Sequence, residues 1–483
     1  MDHLTEILMV LLYIVLVTFI GWYFRKRAGD SPSGFYAAGR EIGPIVGGIS
    51  FAATYASGSA FMGALGARVT LGHFSDIWII AGVAVAFVVV SRFIAPYLRK
   101  SSLITVPDFF QNRFGDSHKT IVAIIIAVLM FVYAVAQMKA LGLVGQYLLG
   151  VPYEVGLLVG LIVIVYLALG GMYAIIWTSF YQSLFMGIMA VLFVIYAFSQ
   201  FNWGDIMSQA NVAEPFLFAI GGALGNSFNL SLGLVFMFGT IAMPHIIMRL
   251  FSSTDQKTAT KTVQVGAAWL FLIYATLFVV PTLVIGLGLD LPDPDLVIMR
   301  AAEELFPPVL IGLVVVAIFS ASMSSTDAQL MASASSLIYD IYYRLLAKKK
   351  MSDKKLALIS RIASSIIGLL AIWVAFGESE LILLVVALAM QIAGASLLVP
   401  LIGGIWWKRA NQAGAIASSV GGFLTVMILH ERVLGTTLGI QLPNSSIPGI
   451  LGVIVSFVLF IVVSYITRVP SRESVEFVEK LHK

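Results

Sequence analysis

Residues 45–67 read IVGGISFAATYASGSAFMGALGA, an apolar run with Ser57, Gly58 and Ser59 at its centre. A run of about 20 apolar residues is long enough to cross a bilayer as a helix. Serine and glycine together at its middle favour leaving the helix there. Unwound backbone is tolerated at membrane depth only where protein buries it or where it lines a watery cavity. In secondary transporters such a break turns carbonyls toward cations and half-helix N-termini toward anionic groups of a solute. A second apolar run, residues 231–251, is interrupted by Gly239 and Pro244. Two broken helices roughly half a core apart imply an alternating-access transporter.

The composition fits a bilayer. Hydrophobic residues make up 59% of the 483 and charged residues 11%, against about 25% charged in a soluble domain. Cysteine is absent, which excludes disulfides, thiolate chemistry and Cys-ligated metals. The six histidines are scattered, without the close pairing of a zinc site. The first apolar run, 8–24, follows Asp2 and Glu6 rather than a basic segment, so it reads as a retained span and not a signal peptide. No nucleophile, base and metal constellation stands out, so an enzyme is not expected.

The sequence predicts an all-α integral membrane protein with about thirteen transmembrane helices in a single transporter domain covering 1–483. The spans fall near 5–24, 45–66, 76–97, 121–148, 153–174, 177–200 and 231–250. The rest fall near 263–288, 308–343, 357–376, 380–404, 411–430 and 447–467. With the N-terminus outside, 25 of the 29 Lys and Arg lie on the cytoplasmic side; Arg68, Arg300 and Arg432 lie outside and Lys139 inside a span. The positive-inside rule then gives an outside N-terminus and a cytoplasmic C-terminus in the plasma (inner) membrane. The basic cluster at 344–355 becomes a cytoplasmic loop, and no nucleic-acid or protein partner is expected. After a leading helix (5–24), 45–200 and 231–404 form two sets of five spans. Each set opens on a broken helix, two helices are added at 411–467, and 468–483 is a cytoplasmic tail. An odd number per set inverts the second set, the inverted-repeat plan. Identity between the halves is not evident, so this rests on counting.

The runs FYAAGREIGP (35–44) and AATYASGSAFMG (52–63) resemble the sodium:solute symporter family. So do YLALGGM (166–172), PHIIMR (244–249) and ASMSSTDAQL (321–330), and the matches keep their order from about 35 to 415. The resemblance implies a LeuT-like five-plus-five core and sodium-driven uptake of a small carboxylate-bearing solute. The pattern around the first break and the PHIIMR run are most similar to carriers of pantothenate and short monocarboxylates, with proline carriers next. Two positions depart from the family. Proline-transporting members carry Asp where this chain has Tyr55, and many members carry Asp where it has Ser179. Both losses remove negative charge from the ion route, which leaves a proton-coupled or uncoupled carrier as the alternative.

Sodium is a hard cation that takes oxygen ligands. The resemblance places three ligand carbonyls on Ala53, Ala56 and Ala321 and two hydroxyls on Ser324 and Ser325. The other reading of this small-residue cluster is close helix packing. Asp327, one turn beyond Ser324, either neutralises the ion at longer range or pairs with a polar neighbour. No other cofactor is implied. The solute belongs between the two breaks near the midplane. Ser57 and Gly58 are the candidates on the first break. Phe236, Thr240 and Pro244, about four residues apart and so on one helix face, are those on the second.

Gln137 and Lys139 are added as solute-binding candidates, although two residues place them about 200° apart around the helix. Lys139 lies roughly 13 Å from the outer end of its span, too deep to snorkel fully. It is a counter-charge for a solute carboxylate, a cation substitute or proton carrier, or a structural partner of Asp327 or Tyr133. A channel would need a continuous polar pore, and a sensor would need a signalling domain beyond the short tail.

Overall fold

The computed structural model describes residues 3–28, 31–101, 103–167, 171–348 and 350–483. It is helical throughout, and β pairing among the described residues is confined to one isolated bridge, Ile42 to Ser253. Among the described residues, eleven helices are long and apolar enough to cross a membrane, a twelfth crossing is a bent pair, and a shorter apolar helix follows the fourth crossing. In chain order these are α1 (Leu4–Phe24), the bent pair α2a (Pro44–Tyr55) and α2b (Ser59–Leu71), α3 (Asp76–Lys100), α4 (Asp116–Leu149) and the shorter α5 (Tyr153–Val165). Next come α6 (Met172–Gln200), α7 (Gly225–Phe251), α8 (Gln256–Gly286) and α9 (Pro308–Leu346). The last spans are α10 (Asp353–Ala375), α11 (Ile382–Trp406), α12 (Gln412–Leu429) and α13 (Ile447–Ile466). A surface helix, α14 (Arg472–His482), closes the chain. The GlyGly run near 170 lies partly outside the described residues.

Burial sorts the helices into a core and a rim. The apolar window of α11 is 89% buried within the protein and that of α1 only 22%. On α1 the side chains of Leu8, Leu12, Val15 and Phe19 are exposed, as are Ile454, Phe457 and Val462 on α13. Exposed apolar stripes of that length have a partner in lipid rather than water. The interior belongs to α2, α4, α7, α9 and α11, and all but α11 carry candidate residues.

The two breaks are unequal. The axis turns by 57° between α2a and α2b. In α7 a single extended residue, Met243 (φ −69°, ψ 116°), separates Gly225–Ala242 from Pro244–Phe251. Pro244 causes it, because proline has no N–H to give back to the preceding turn. Gly239 lies within the regular helix and interrupts nothing. A Cβ there would stand 2.7 Å from the Met390 carbonyl oxygen, so this glycine lets α7 approach α11. Close backbone approach recurs where α3 meets α7: a Cβ on Gly82 would lie 2.3 Å from the Gly233 carbonyl oxygen. Small residues give membrane helices this proximity.

Buried charge fastens the end where the basic residues collect. Lys119 Nζ reaches Asp108 at 2.8 Å and Asp340 at 3.0 Å, and Arg344 reaches Asp108 at 2.7 Å. Arg113 donates to the Gly404 and Trp407 carbonyls, at 3.0 and 2.9 Å, and to Ser474 of α14. Burial pushes the Arg113 guanidinium down to about 10.

Candidate ion and solute site

A helix that ends inside a protein leaves its last carbonyls without partners, and each must be met somewhere. At the end of α2a, Ala52 O takes the Ala56 N–H at 2.7 Å and Tyr55 O takes the Ser57 N–H at 2.8 Å. Ala53 O and Thr54 O are met from α9. Ser324 Oγ donates to Ala53 O at 3.1 Å and to Ala321 O at 3.0 Å, while Ser325 Oγ reaches Thr54 O at 3.2 Å and Ala53 O at 3.4 Å. The break and the serine pair therefore face each other, and Ala53, Ala321, Ser324 and Ser325 bring neutral oxygens to one buried point. Ala56 follows the helix end, where φ −71° and ψ 69° turn the chain out of the helix. The serine hydroxyls do not reach its carbonyl.

Asp327 is fully buried, and neither carboxylate oxygen has a hydrogen-bond partner among the described residues. The pairing with a polar neighbour considered from sequence is thus not formed; Arg249 acts on it electrostatically. Arg249 itself donates to Ser50 at 2.5 Å and to Ser179 at 3.1 Å. Ser179 thus bonds a resident guanidinium.

Beside the first break lies a cavity lined by Tyr55, Ser57, Ser59, Tyr133, Phe236 and Tyr274, among others. About 20 Å³ of it is open to a water-sized molecule, room for one water, so a larger solute needs the helices to move apart. The Tyr55 hydroxyl lies 3.1 Å from Thr240 Oγ1, which ties the two breaks together. Gly58 N donates to Gln137 Oε1 at 3.0 Å. Gly58 has ordinary helical angles (φ −53°, ψ −33°), so space rather than conformation requires it. A Cβ there would meet Ser322 Oγ at 2.3 Å and the Ala140 Cβ at 2.8 Å. Pro244 is buried at the restart of α7.

Lys139 is placed differently from its neighbour. Its ammonium bonds Asp295 Oδ2 at 3.2 Å and the Glu380 carbonyl, and the same Asp295 oxygen accepts the Ile382 N–H at 3.1 Å. The partner considered from sequence, Asp327 or Tyr133, is therefore replaced by Asp295. Ordinary snorkelling is replaced too, because a short helical turn at Pro294–Leu296 supplies a fully buried carboxylate. Burial pushes the Asp295 carboxyl up from 3.8 to about 6, with Lys139 pulling the other way. Gln137 meets the first break while Lys139 meets the loop, as their separation around α4 dictates.

Besides apolar wall residues, the sequence reading missed Asp76, Tyr133 as a wall residue, and Tyr274. Asp76 sits in the first turn of a helix, where an acidic residue ordinarily complements the helix dipole. Its one distinguishing signal is Arg68, eight residues earlier in an otherwise apolar stretch.

The family profile described as sodium:solute symporter family matches residues 35–422. The chain belongs to that family. Among relatives of this sodium:solute symporter, the osmoregulated proline transporter OpuE of Bacillus subtilis is 30% identical over 480 residues, 96% of this chain and 95% of that protein. Sodium/proline symporter 2 of Staphylococcus saprophyticus is 31% identical over 442 residues, 87% and 85% of the two chains. In fold, the chain is similar to a Na+-coupled sialic acid symporter, with a TM-score of 0.79 at 19% identity, covering 97% of this chain and 99% of that one. It is also similar to the nucleobase-cation-symport-1 transporter Mhp1, with a TM-score of 0.58 at 14% identity, covering 92% and 98%. The LeuT-like, all-helical architecture and membership of a sodium-coupled transport family thus stand together.

Proposed function

We propose that this chain carries out sodium-coupled symport of a small carboxylate-bearing solute by alternating access, with proline ahead of pantothenate and short monocarboxylates. One observation carries the reading: the Ser324 and Ser325 hydroxyls face the Ala53 and Thr54 carbonyls that the break in α2 leaves over. A cation taken up among Ala53, Ala56, Ala321, Ser324 and Ser325 would bridge α2a to α9 and fix the angle at the break. Ser57 and Gly58 on one side, and Phe236, Thr240 and Pro244 on the other, would then hold the solute, with Gln137 pinning Gly58. Ion and solute would each favour the same arrangement of the break, which is what coupling requires. Asp327 supplies negative charge one turn away, and Lys139 serves the closure of the loop above rather than the solute.

The relatives named as proline carriers support taking proline as the first candidate. We further propose that the basic end is cytoplasmic and the Lys139–Asp295 end external, in the plasma membrane. Uptake into proteoliposomes tests the reading. Proline, pantothenate, acetate, pyruvate and lactate are each offered under a sodium gradient and, separately, a proton gradient. Saturable, sodium-driven uptake of one of them is expected. Uptake that ignores sodium and follows pH would transfer the coupling role to a proton, with the unpartnered Asp327 as its carrier.

A further inference from the structure

We propose that Asp76 receives a protonated amine of the transported solute, which makes the solute a small α-amino or imino acid zwitterion. This rests on the carrier reading above and narrows it. Asp76 is 4% exposed and is the one carboxylate among the described residues lining the cavity beside the first break. Arg68 holds it from one side, with Nε donating to Oδ2 at 2.9 Å and Nη2 donating to the same oxygen. Oδ1 accepts no hydrogen bond among the described residues. Arg68 Nη1, equally buried, also has no hydrogen-bond partner among the described residues. The guanidinium lies 4.7 Å from the centroid of the Phe278 ring, which fixes its plane.

An arginine and a carboxylate that serve only each other commonly close as a fork, two donors on two oxygens. Here both donors crowd one oxygen, and the pair keeps a free acceptor beside the solute cavity. A carboxylate oxygen can only accept. A plain carboxylate solute brings acceptors alone and would meet like charge at this wall. An ammonium or ring iminium brings N–H donors and positive charge, and forms the stronger, charge-assisted bond. The carboxyl end of such a solute then lies toward the break, where α2b begins and its dipole favours an anion. Phe236 and Tyr274 supply apolar contact to the carbon skeleton between the two ends.

The test compares two ring solutes that differ at one atom: L-proline and tetrahydrofuran-2-carboxylate, in which oxygen replaces the ring N–H. The full chain is reconstituted under a sodium gradient, and the concentration of each that halves labelled proline uptake is measured. The wild type should prefer proline by about ten- to a hundredfold, the worth of a charge-assisted hydrogen bond. Asp76→Asn should raise the proline constant by a similar factor and shrink that preference, with half-saturating sodium unchanged. Asp76→Glu should restore part of the preference. The double variant Arg68→Gln/Asp76→Asn leaves no unpaired buried charge and should match Asp76→Asn in its preference ratio, which does not depend on how much protein folds. A proline constant and ratio unaltered by Asp76→Asn would show the ion pair to be structural and overturn the proposal. Sodium-driven uptake of pyruvate or acetate but of no amino or imino acid would overturn it while leaving the sodium-coupled reading intact. Absence of sodium-driven uptake for all these solutes would overturn both.

Discussion

Removing the two hydroxyls of Ser324 and Ser325 should weaken sodium far more than it weakens the solute. Each hydroxyl contributes one of the five oxygens proposed to hold the ion. A hydrogen-bond-like contact to a charged partner is worth about 1.5–3 kcal/mol, and about 1.4 kcal/mol is a factor of ten. One Ser→Ala change should therefore raise half-saturating sodium by about ten- to a hundredfold. The two hydroxyls share Ala53 O, at 3.1 and 3.4 Å, so their losses will not add fully. The double variant should stay near the upper end of that range rather than reach its square.

The cost to folding is smaller, because two neutral hydrogen bonds of about 1 kcal/mol each are lost. Purified protein in proteoliposomes gives initial uptake as a function of sodium, and solute binding at saturating sodium gives the second constant. Ser333→Ala is the control, since that hydroxyl on the same helix reaches Ala127 O at 3.3 Å and faces no break. Half-saturating sodium unchanged in the double variant, or shifted equally by Ser333→Ala, would refute the assignment of the ion to the serine pair.

Gly58→Ala should insert normally yet lose at least nine-tenths of uptake, because the added carbon meets the Ala140 Cβ at 2.8 Å; retention of wild-type flux would remove Gly58 from the moving parts. Asp295 should make loop closure depend on pH. Its carboxyl stands near 6 in the closed form, and in water it would return to about 3.9. The closed form therefore binds the proton more tightly, so acidification from pH 7 to 5 should favour closure. Labelling of Leu383→Cys, at the cavity wall of a chain without other cysteines, should slow over that range relative to an exposed control cysteine, and Asp295→Asn should flatten the response. Lys119→Met leaves Asp108 to Arg344 alone and Asp340 without an ion-pair partner among the described residues, and should destabilise the fold by about 3–5 kcal/mol. A thermal unfolding midpoint equal to wild type would show that Arg344 alone satisfies them.

The first break was legible because serine and glycine stand out in an apolar run, and Ser324 and Ser325 because paired hydroxyls stand out in an aliphatic helix. The thirteen apolar segments were legible for the same reason: hydropathy is a local property. What stayed hidden depends on distant chain. The partner of Lys139 is 156 residues away, in an acidic loop whose carboxylates all look alike in sequence. Asp76 reads as an ordinary helix-start acid until the fold brings it to the cavity. Gly239 looked like a breaker, and only the position of Met390 shows that it makes room. Tyr55, noted as a lost aspartate, proves to join the two breaks through Thr240, a link that no spacing within one helix could show.

Where Gly82 meets Gly233, nothing compressible lies between the backbones of α3 and α7. Two rods in such contact do not slide like rods separated by leucines; a torque on one is delivered to the other with little loss. Pro244 allows α7 to flex below that point, so the stiff part of the lever is its upper arm. In the alternating access proposed above, Asp76 and Phe236 should therefore travel together and keep their spacing, with Ser324, on α9, on the surface they turn against.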